Sequence, residues 1–204
     1  MQKFNKKDIL SVLNITFRLF IVCTIIAVLV ASVNFITKDR IAEHDFAKIT
    51  AALDSVFNSS DGSSVPEYKE AEIELSGSVT GLYEVIADGE TTGYGILCEP
   101  TGFKDVIQML VAFDNNNSII AVRVISLSET PGFGDRVKNE PQFTEQFVGK
   151  QNSIVLGTDG VNALTGATVS SKAVARGVND AISMIKVYTS VSDNTSKEVE
   201  ADGK

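Results

Sequence analysis

The sequence predicts an α+β domain carried behind a single amino-terminal transmembrane helix, with a mostly antiparallel sheet and flanking helices. Three observations predict it. An uncharged apolar run, Leu19 to Ile36, stands near the start of the 204-residue chain. Two pairs of β-type segments follow, each pair joined across a short turn-forming stretch, and an amphipathic helical pattern comes after them. The chain divides accordingly into a cytoplasmic amino terminus and helix start (1–18), a transmembrane helix (19–37), a linker helix and loop (38–64), a folded domain (65–189) and a polar tail expected to lack fixed structure (190–204).

The run LFIVCTIIAVLVASVNFI is eighteen residues without a charge, and apolar character extends back through Ile9, Val12, Leu13, Ile15 and Phe17. That length spans a bilayer as a helix. Arg18 interrupts the longer stretch but can snorkel to the near interface. Lys3, Lys6, Lys7 and Arg18 precede the run, whereas Lys38 and Arg40 after it are interleaved with Asp39, Glu43 and Asp45. Positive charge on the short leading side keeps the amino terminus in the cytoplasm and puts the domain outside, a single-pass topology in the cell membrane. A cleaved signal peptide shares the basic start and apolar core, but Ala31-Ser32-Val33-Asn34 is no A-x-A cleavage site and the run is long for a signal. A buried core helix is disfavoured because the apolar residues cover all sides.

Beyond the membrane, EHDFAKITAALDSVFN places Phe46, Ile49, Leu53 and Val56 at helical spacing, and the polar stretch Asn58 to Ser64 ends that helix. GLYEVIADGETTGYGILCE reads as two strands around Asp88-Gly89, a pair that favours a tight hairpin because glycine tolerates positive φ. VIQMLVAF and SIIAVRVISL form a second pair across Asp114 to Asn117. PQFTEQFVGK predicts a short helix, SIVL a strand and SSKAVARGVNDAISMIKVY a long helix. In that last helix Val174, Val178, Ala181, Ile182 and Ile185 share the face that should cover the sheet.

Composition removes most enzyme classes. His44 is the only histidine, and it sits just past the apolar run, away from any folded site that would pair it with a nucleophile or metal. Cys23 and Cys98 lie in segments of different character and make neither a C-x-x-C nor an iron–sulfur spacing, so both read as packing residues. No catalytic residue and no metal site is expected. Beyond residue 37 there are 14 Lys and Arg against 25 Asp and Glu, a net charge of −11, and so nucleic acid is not an expected partner. Gly93-Tyr94-Gly95 lacks the third glycine and the helix start of a dinucleotide fingerprint.

The chemistry concentrates in Asn162-Ala163-Leu164-Thr165-Gly166-Ala167-Thr168-Val169-Ser170-Ser171, which leads into the last helix. Ser170 or Ser171 is a natural N-cap. A turn before a helix exposes unpaired N–H groups that, with the helix dipole, favour a phosphate, and Gly166 and Ala167 let it approach the backbone. Read alone, this is an anion site beside a hydroxyl, and an ordinary turn into a helix would look the same.

Leu164-Thr165-Gly166-Ala167-Thr168 resembles the S/T-G-A-T/S core of the flavin-binding domain shared by the Rnf complex G subunit and the C subunit of the sodium-pumping NADH:quinone oxidoreductase. The final hydroxyl residue of that motif carries FMN through a phosphoester installed by a flavin transferase, which implies covalent FMN on Thr168, with Thr165, Gly166 and Ala167 lining the approach to the phosphate. The aspartate that usually opens the pattern is replaced here by Asn162. Ser128-Glu129-Thr130-Pro131-Gly132-Phe133-Gly134 is similar to the E-T-P-G-x-G loop of the same proteins. That match implies flavin contacts at Thr130 and Phe133, with Glu129 and Gly132 shaping the loop; a plain Pro-Gly turn would explain the glycine but not the pairing of the two motifs.

The resemblance covers nearly the whole chain and implies an electron-transfer subunit of a membrane-bound, ion-translocating ferredoxin:NAD oxidoreductase. Its partners would be the other membrane and iron–sulfur subunits of an Rnf complex. The quinone-reductase C subunit is the alternative, disfavoured because it carries extra sequence in its outer domain. A non-redox, membrane-anchored binding or assembly module is the reading from a different class, and it predicts no bound chromophore.

Overall fold

The computed structural model describes residues 6–58 and 65–201. The polar loop expected through Ser64 therefore lies outside the described residues from Ser59 onward. So do the side chains of residues 35–45, His44 among them.

Helix α1 runs from Lys6 to Phe57 without a break. The sequence reading separated a membrane helix from a linker helix, but residues 6–57 contain neither proline nor glycine, and nothing in them ends a helix. Within α1, Ile15–Ser32 has a mean hydropathy of 2.4 and no buried residue, so it is long and apolar enough to cross a membrane. Two of its hydroxyls bond within the helix. Thr24 Oγ1 donates to the Phe20 carbonyl and Ser32 Oγ to that of Val28, each at 2.8 Å, the bonds such side chains need where water is absent.

Residues 48–204 form a separate compact unit. Its sheet is an antiparallel meander of β1 (Glu67–Glu70), β2 (Val79–Ala87), β3 (Glu90–Cys98), β4 (Ile107–Asp114) and β5 (Ile119–Leu127), in sequence order. The two predicted hairpins are present. Asp88 and Gly89 take φ of 55° and 83° between Ala87 and its partner Glu90, the doubly left-handed turn that a two-residue hairpin requires. At the second hairpin Asp114 Oδ1 accepts from the Asn116 and Ser118 N–H groups at 2.9 and 2.8 Å, an aspartate-templated turn. Strand β1 was not anticipated: Glu-Tyr-Lys-Glu is a charged, largely exposed edge strand with no apolar run to announce it.

Alternation assigns the two faces of the sheet. Leu82, Ile96, Cys98, Met109, Val111 and Phe113 point toward α4 (Thr168–Ala201), whose predicted stripe of Val174, Val178, Ala181, Ile182 and Ile185 is buried against them. Leu97 and Leu110 point the other way, onto Leu53, Ile49 and Phe57 from the last turns of α1. Short helices α2 (Arg136–Asn139) and α3 (Pro141–Glu145) follow the sheet, and Phe143 and Phe147 meet edge to face at 5.5 Å in the core. Cys98 is buried and donates its thiol to the Gly177 carbonyl, and burial pushes its pKa up.

Two further expectations are corrected. SIVL is not a strand: Asn179 Oδ1 accepts from the Ile154 N–H and its amide donates to the Ile154 carbonyl, at 2.8 and 2.9 Å, so a side chain of α4 replaces a ladder partner. Helix α4 continues past Ser190 to Ala201, because the polar tail there carries no glycine or proline to stop it.

Tyr188 donates to Glu84 Oε1 at 2.6 Å and meets Tyr94 edge to face. Burial, then the bond to Glu84, pushes its phenol up from 10.0 to about 12. A raised phenol stabilises the fold below pH 10, where both states are protonated, and this contribution is lost as pH rises toward 12. Urea midpoints of the wild type should therefore fall across that window. Tyr188→Phe should be less stable below pH 10 and show a shallower alkaline fall; parallel curves would remove Tyr188 as a cause.

Candidate functional site

Two segments far apart in sequence meet at the amino-terminal end of α4. The first is the turn after β5. Thr130 carbonyl accepts from the Phe133 N–H at 3.2 Å, Gly132 adopts φ +77°, and the ring of Phe133 is left 58% exposed. The second is the loop into α4, where the Ala167 N–H donates to the Leu164 carbonyl at 3.0 Å and Gly166 takes φ +82°. A side-chain carbon on Gly166 would lie 3.6 Å from Phe133 Cδ1, so the second loop runs beneath the ring of the first.

The helix begins earlier than the sequence suggests. The Ser171 N–H donates to the Ala167 carbonyl at 2.8 Å, which makes Ala167 the cap and Thr168 the first helical residue. Ser170 and Ser171 are therefore not N-caps. Ser170 Oγ donates to Glu129 Oε2 at 3.0 Å, and Ser171 Oγ accepts from the Leu164 N–H at 3.1 Å. Both hydroxyls are spent on tertiary bonds that no local pattern encodes. Thr168 is exposed, and the first-turn N–H groups beside it have no intrahelical partner.

A cavity of about 460 Å³ opens between the segments, lined by Phe103, Glu129, Thr130, Phe133, Gly134, Gly166, Ala167, Thr168, Val169 and Ser170. Its size falls in the range of small-molecule sites. Of the residues singled out from sequence, Glu129, Thr130, Phe133, Gly166, Ala167 and Thr168 line it, whereas Thr165 and Gly132 do not. Thr165 instead offers its carbonyl to Arg136 Nη1 at 2.5 Å, while Arg136 Nε pairs with Glu140 at 2.6 Å, so the cation ties the loop to α2. Sequence reasoning missed Phe103, Gly134, Val169 and Ser170. Gly134 had a signal, as the second glycine of Pro-Gly-Phe-Gly; Phe103 had none, because it arrives through Glu129.

Glu129 is the central polar residue. It is 6% exposed, and Oε1 accepts from the N–H groups of Phe103 and Lys104 at 2.8 and 3.2 Å. With the Ser170 bond, one carboxyl holds the turn after β3, the turn after β5 and the first turn of α4 together. An adjoining depression of about 410 Å³, lined by Thr101, Gly102, Val169, Lys172 and Arg176, shares Val169 with the cavity. Lys172 lies one turn beyond Thr168 on α4.

Residues 102–183 match the family model of the FMN-binding domain. The chain carries an FMN-binding domain. Matched residues contain both loops, the Phe103 turn and the start of α4, and thus every residue lining the cavity. The relatives extend the likeness over most of the chain. The G subunit of the proton-translocating ferredoxin:NAD(+) oxidoreductase complex of Clostridium ljungdahlii is 27% identical, covering 90% of this chain and 96% of that one. The G subunit of the Na(+)-translocating complex of Acetobacterium woodii is 29% identical over 85% and 90%. The G subunit of the ion-translocating oxidoreductase complex of Vibrio vulnificus is 26% identical over 78% and 82%. The chain is thus a homologue of Rnf complex G subunits.

The cavity of this FMN-binding domain fits the group its family is named for. Phe103, Phe133 and Val169, 71%, 58% and 50% exposed, offer apolar surface to a flat ring system, and Gly134, where a side-chain carbon would lie 2.5 Å from Glu129 Oε2, lets the turn close on the carboxyl that lines the cavity. The unpaired N–H groups at Thr168 form the end suited to a phosphate.

Proposed function

We propose that this chain is a membrane-anchored electron-relay subunit of an Rnf-type ferredoxin:NAD oxidoreductase complex and holds FMN covalently on Thr168. One observation carries the reading: the cavity sets an exposed threonine hydroxyl, at the open end of α4, against the aromatic walls and the Glu-Thr-Pro-Gly-Phe-Gly turn. When bound, FMN supplies a centre that accepts and donates electrons singly.

The chain's own residues anchor, orient and shield that centre. Thr168 Oγ would hold the flavin as a phosphoester: a flavin transferase would move the flavin phosphoryl group onto it from an activated flavin donor, whose leaving group departs from phosphorus as the new P–O bond forms and the hydroxyl proton is lost. The α4 N–H groups, with Lys172 one turn on, would stabilise the negative charge of such a phosphate. Phe103 and Phe133 would offer their rings to the isoalloxazine, and Thr130 would supply a hydroxyl to it. Thr165 acts at one remove, through the Arg136 bond that fixes the loop. Gly132 acts through the turn it permits. No residue here serves as an acid, base or metal ligand in the relay.

Lys3, Lys6, Lys7 and Arg18 keep the amino terminus cytoplasmic and place the domain on the outer face, where a tether prevents permanent loss of a dissociated flavin. Electrons pass to and from neighbouring membrane and iron–sulfur subunits. The full chain co-expressed with a flavin transferase should give a fluorescent band at 21.9 kDa on a denaturing gel. A colourless chain under those conditions would sink the redox reading.

A further inference from the structure

We propose that Glu129 lowers the reduction potential of the flavin, acting as a fixed buried negative charge at the wall of the cavity. The proposal rests on the cavity being the flavin site. Three donors converge on this carboxyl, the N–H groups of Phe103 and Lys104 and the hydroxyl of Ser170. An arrangement with donors on both oxygens and nothing accepting from them is the one an ionised carboxyl takes.

Its position is sterically fixed. A side-chain carbon on Gly134 would lie 2.5 Å from Oε2, and one on Gly102 would overlap Oε1, so glycines on both sides make room for this group. Among the described residues no lysine or arginine pairs with it: Arg136 is taken by Glu140 and Thr165, and Arg176 donates to the Thr101 carbonyl. The charge is thus held by dipoles and not cancelled by a cation. It lines the cavity at 6% exposure, where water screens poorly.

Adding electrons to the ring makes that end of the cavity more negative, and a fixed negative charge beside it opposes the change. Glu129 therefore favours the oxidised flavin. Glutamine separates this effect from shape. Its carbonyl can accept from Phe103 and Lys104, and its amide can donate to Ser170, whose hydroxyl turns to accept.

The test is a spectroelectrochemical titration of the full, flavin-loaded chain in detergent. Glu129→Gln should raise the midpoint potential, equivalent to roughly a tenfold or larger shift of the equilibrium toward reduced flavin for a unit charge within about 10 Å at an effective dielectric near 20. Should Glu129→Gln block loading, the pair Glu129→Asp and Glu129→Asn keeps the comparison, because both shorten the side chain and only one retains the charge; Asn should titrate above Asp. Equal potentials within a loaded pair, or a lower one in the neutral variant, overturn the proposal while leaving the flavin site intact. A wild-type chain that takes up no flavin overturns the site itself.

Discussion

Thr168→Ala abolishes in-gel flavin fluorescence, and Thr168→Ser restores it: this is the expected result if one hydroxyl carries the cofactor. The neighbouring hydroxyls are poor substitutes. Ser170 and Ser171 are buried, one bonded to Glu129 and the other to the Leu164 N–H, and Thr165 lies outside the cavity lining. Only Thr168 combines exposure, a place in the lining and unpaired N–H groups beside it. The variant should also remain folded, which gives the loss its meaning. Ala167, not Thr168, occupies the cap position, so the substitution removes no capping bond and should cost no more than about 0.5 kcal/mol, as at other exposed sites. Intact mass and a melting curve on the same preparation check both statements. Fluorescence persisting in a folded Thr168→Ala chain would move the tether elsewhere.

Much of the frame around that threonine was legible in the sequence, for reasons that are local. Asp88-Gly89 encodes a hairpin because both positions need positive φ, and the stripe from Val174 to Ile185 encodes the buried face of α4 by its period. What sequence could not supply is long-range. The start of α4 was misplaced because Ser170 and Ser171, good caps by type, spend their hydroxyls on Glu129 and Leu164. SIVL was misread because its backbone partner is an asparagine 25 residues onward. Phe103 became part of the site only through a carboxylate 26 residues away. The two motifs were each visible, but their convergence on one cavity is a property of the folded sheet and helix, which bring residues 129–134 and 166–170 together.

The Gly93-Tyr94-Gly95 segment carries the second large effect, and its glycines are structural. Both lie on the sheet face that meets the last turns of α1, where Leu53 and Phe57 descend onto β3. A side-chain carbon on Gly95 would overlap the end of Leu53, a flexible group. On Gly93 it would lie 2.5 Å from the Phe113 carbonyl oxygen and 2.8 Å from Phe57 Cε1. The first of these is backbone in the paired strand β4, which cannot turn aside without breaking register. Gly93→Ala should therefore destabilise the domain by about 2–3 kcal/mol, lowering the melting midpoint of the full chain in detergent by roughly 5–10 °C. Gly89→Ala, strained only by its positive φ and with open space around it, should cost about 1 kcal/mol. Adding Phe57→Ala to Gly93→Ala distinguishes the two clashes: if the β4 carbonyl dominates, removing the ring brings no recovery and opens a cavity as well. A double variant that melts near wild type would show that the helix, not the strand, is what excludes a side chain at position 93.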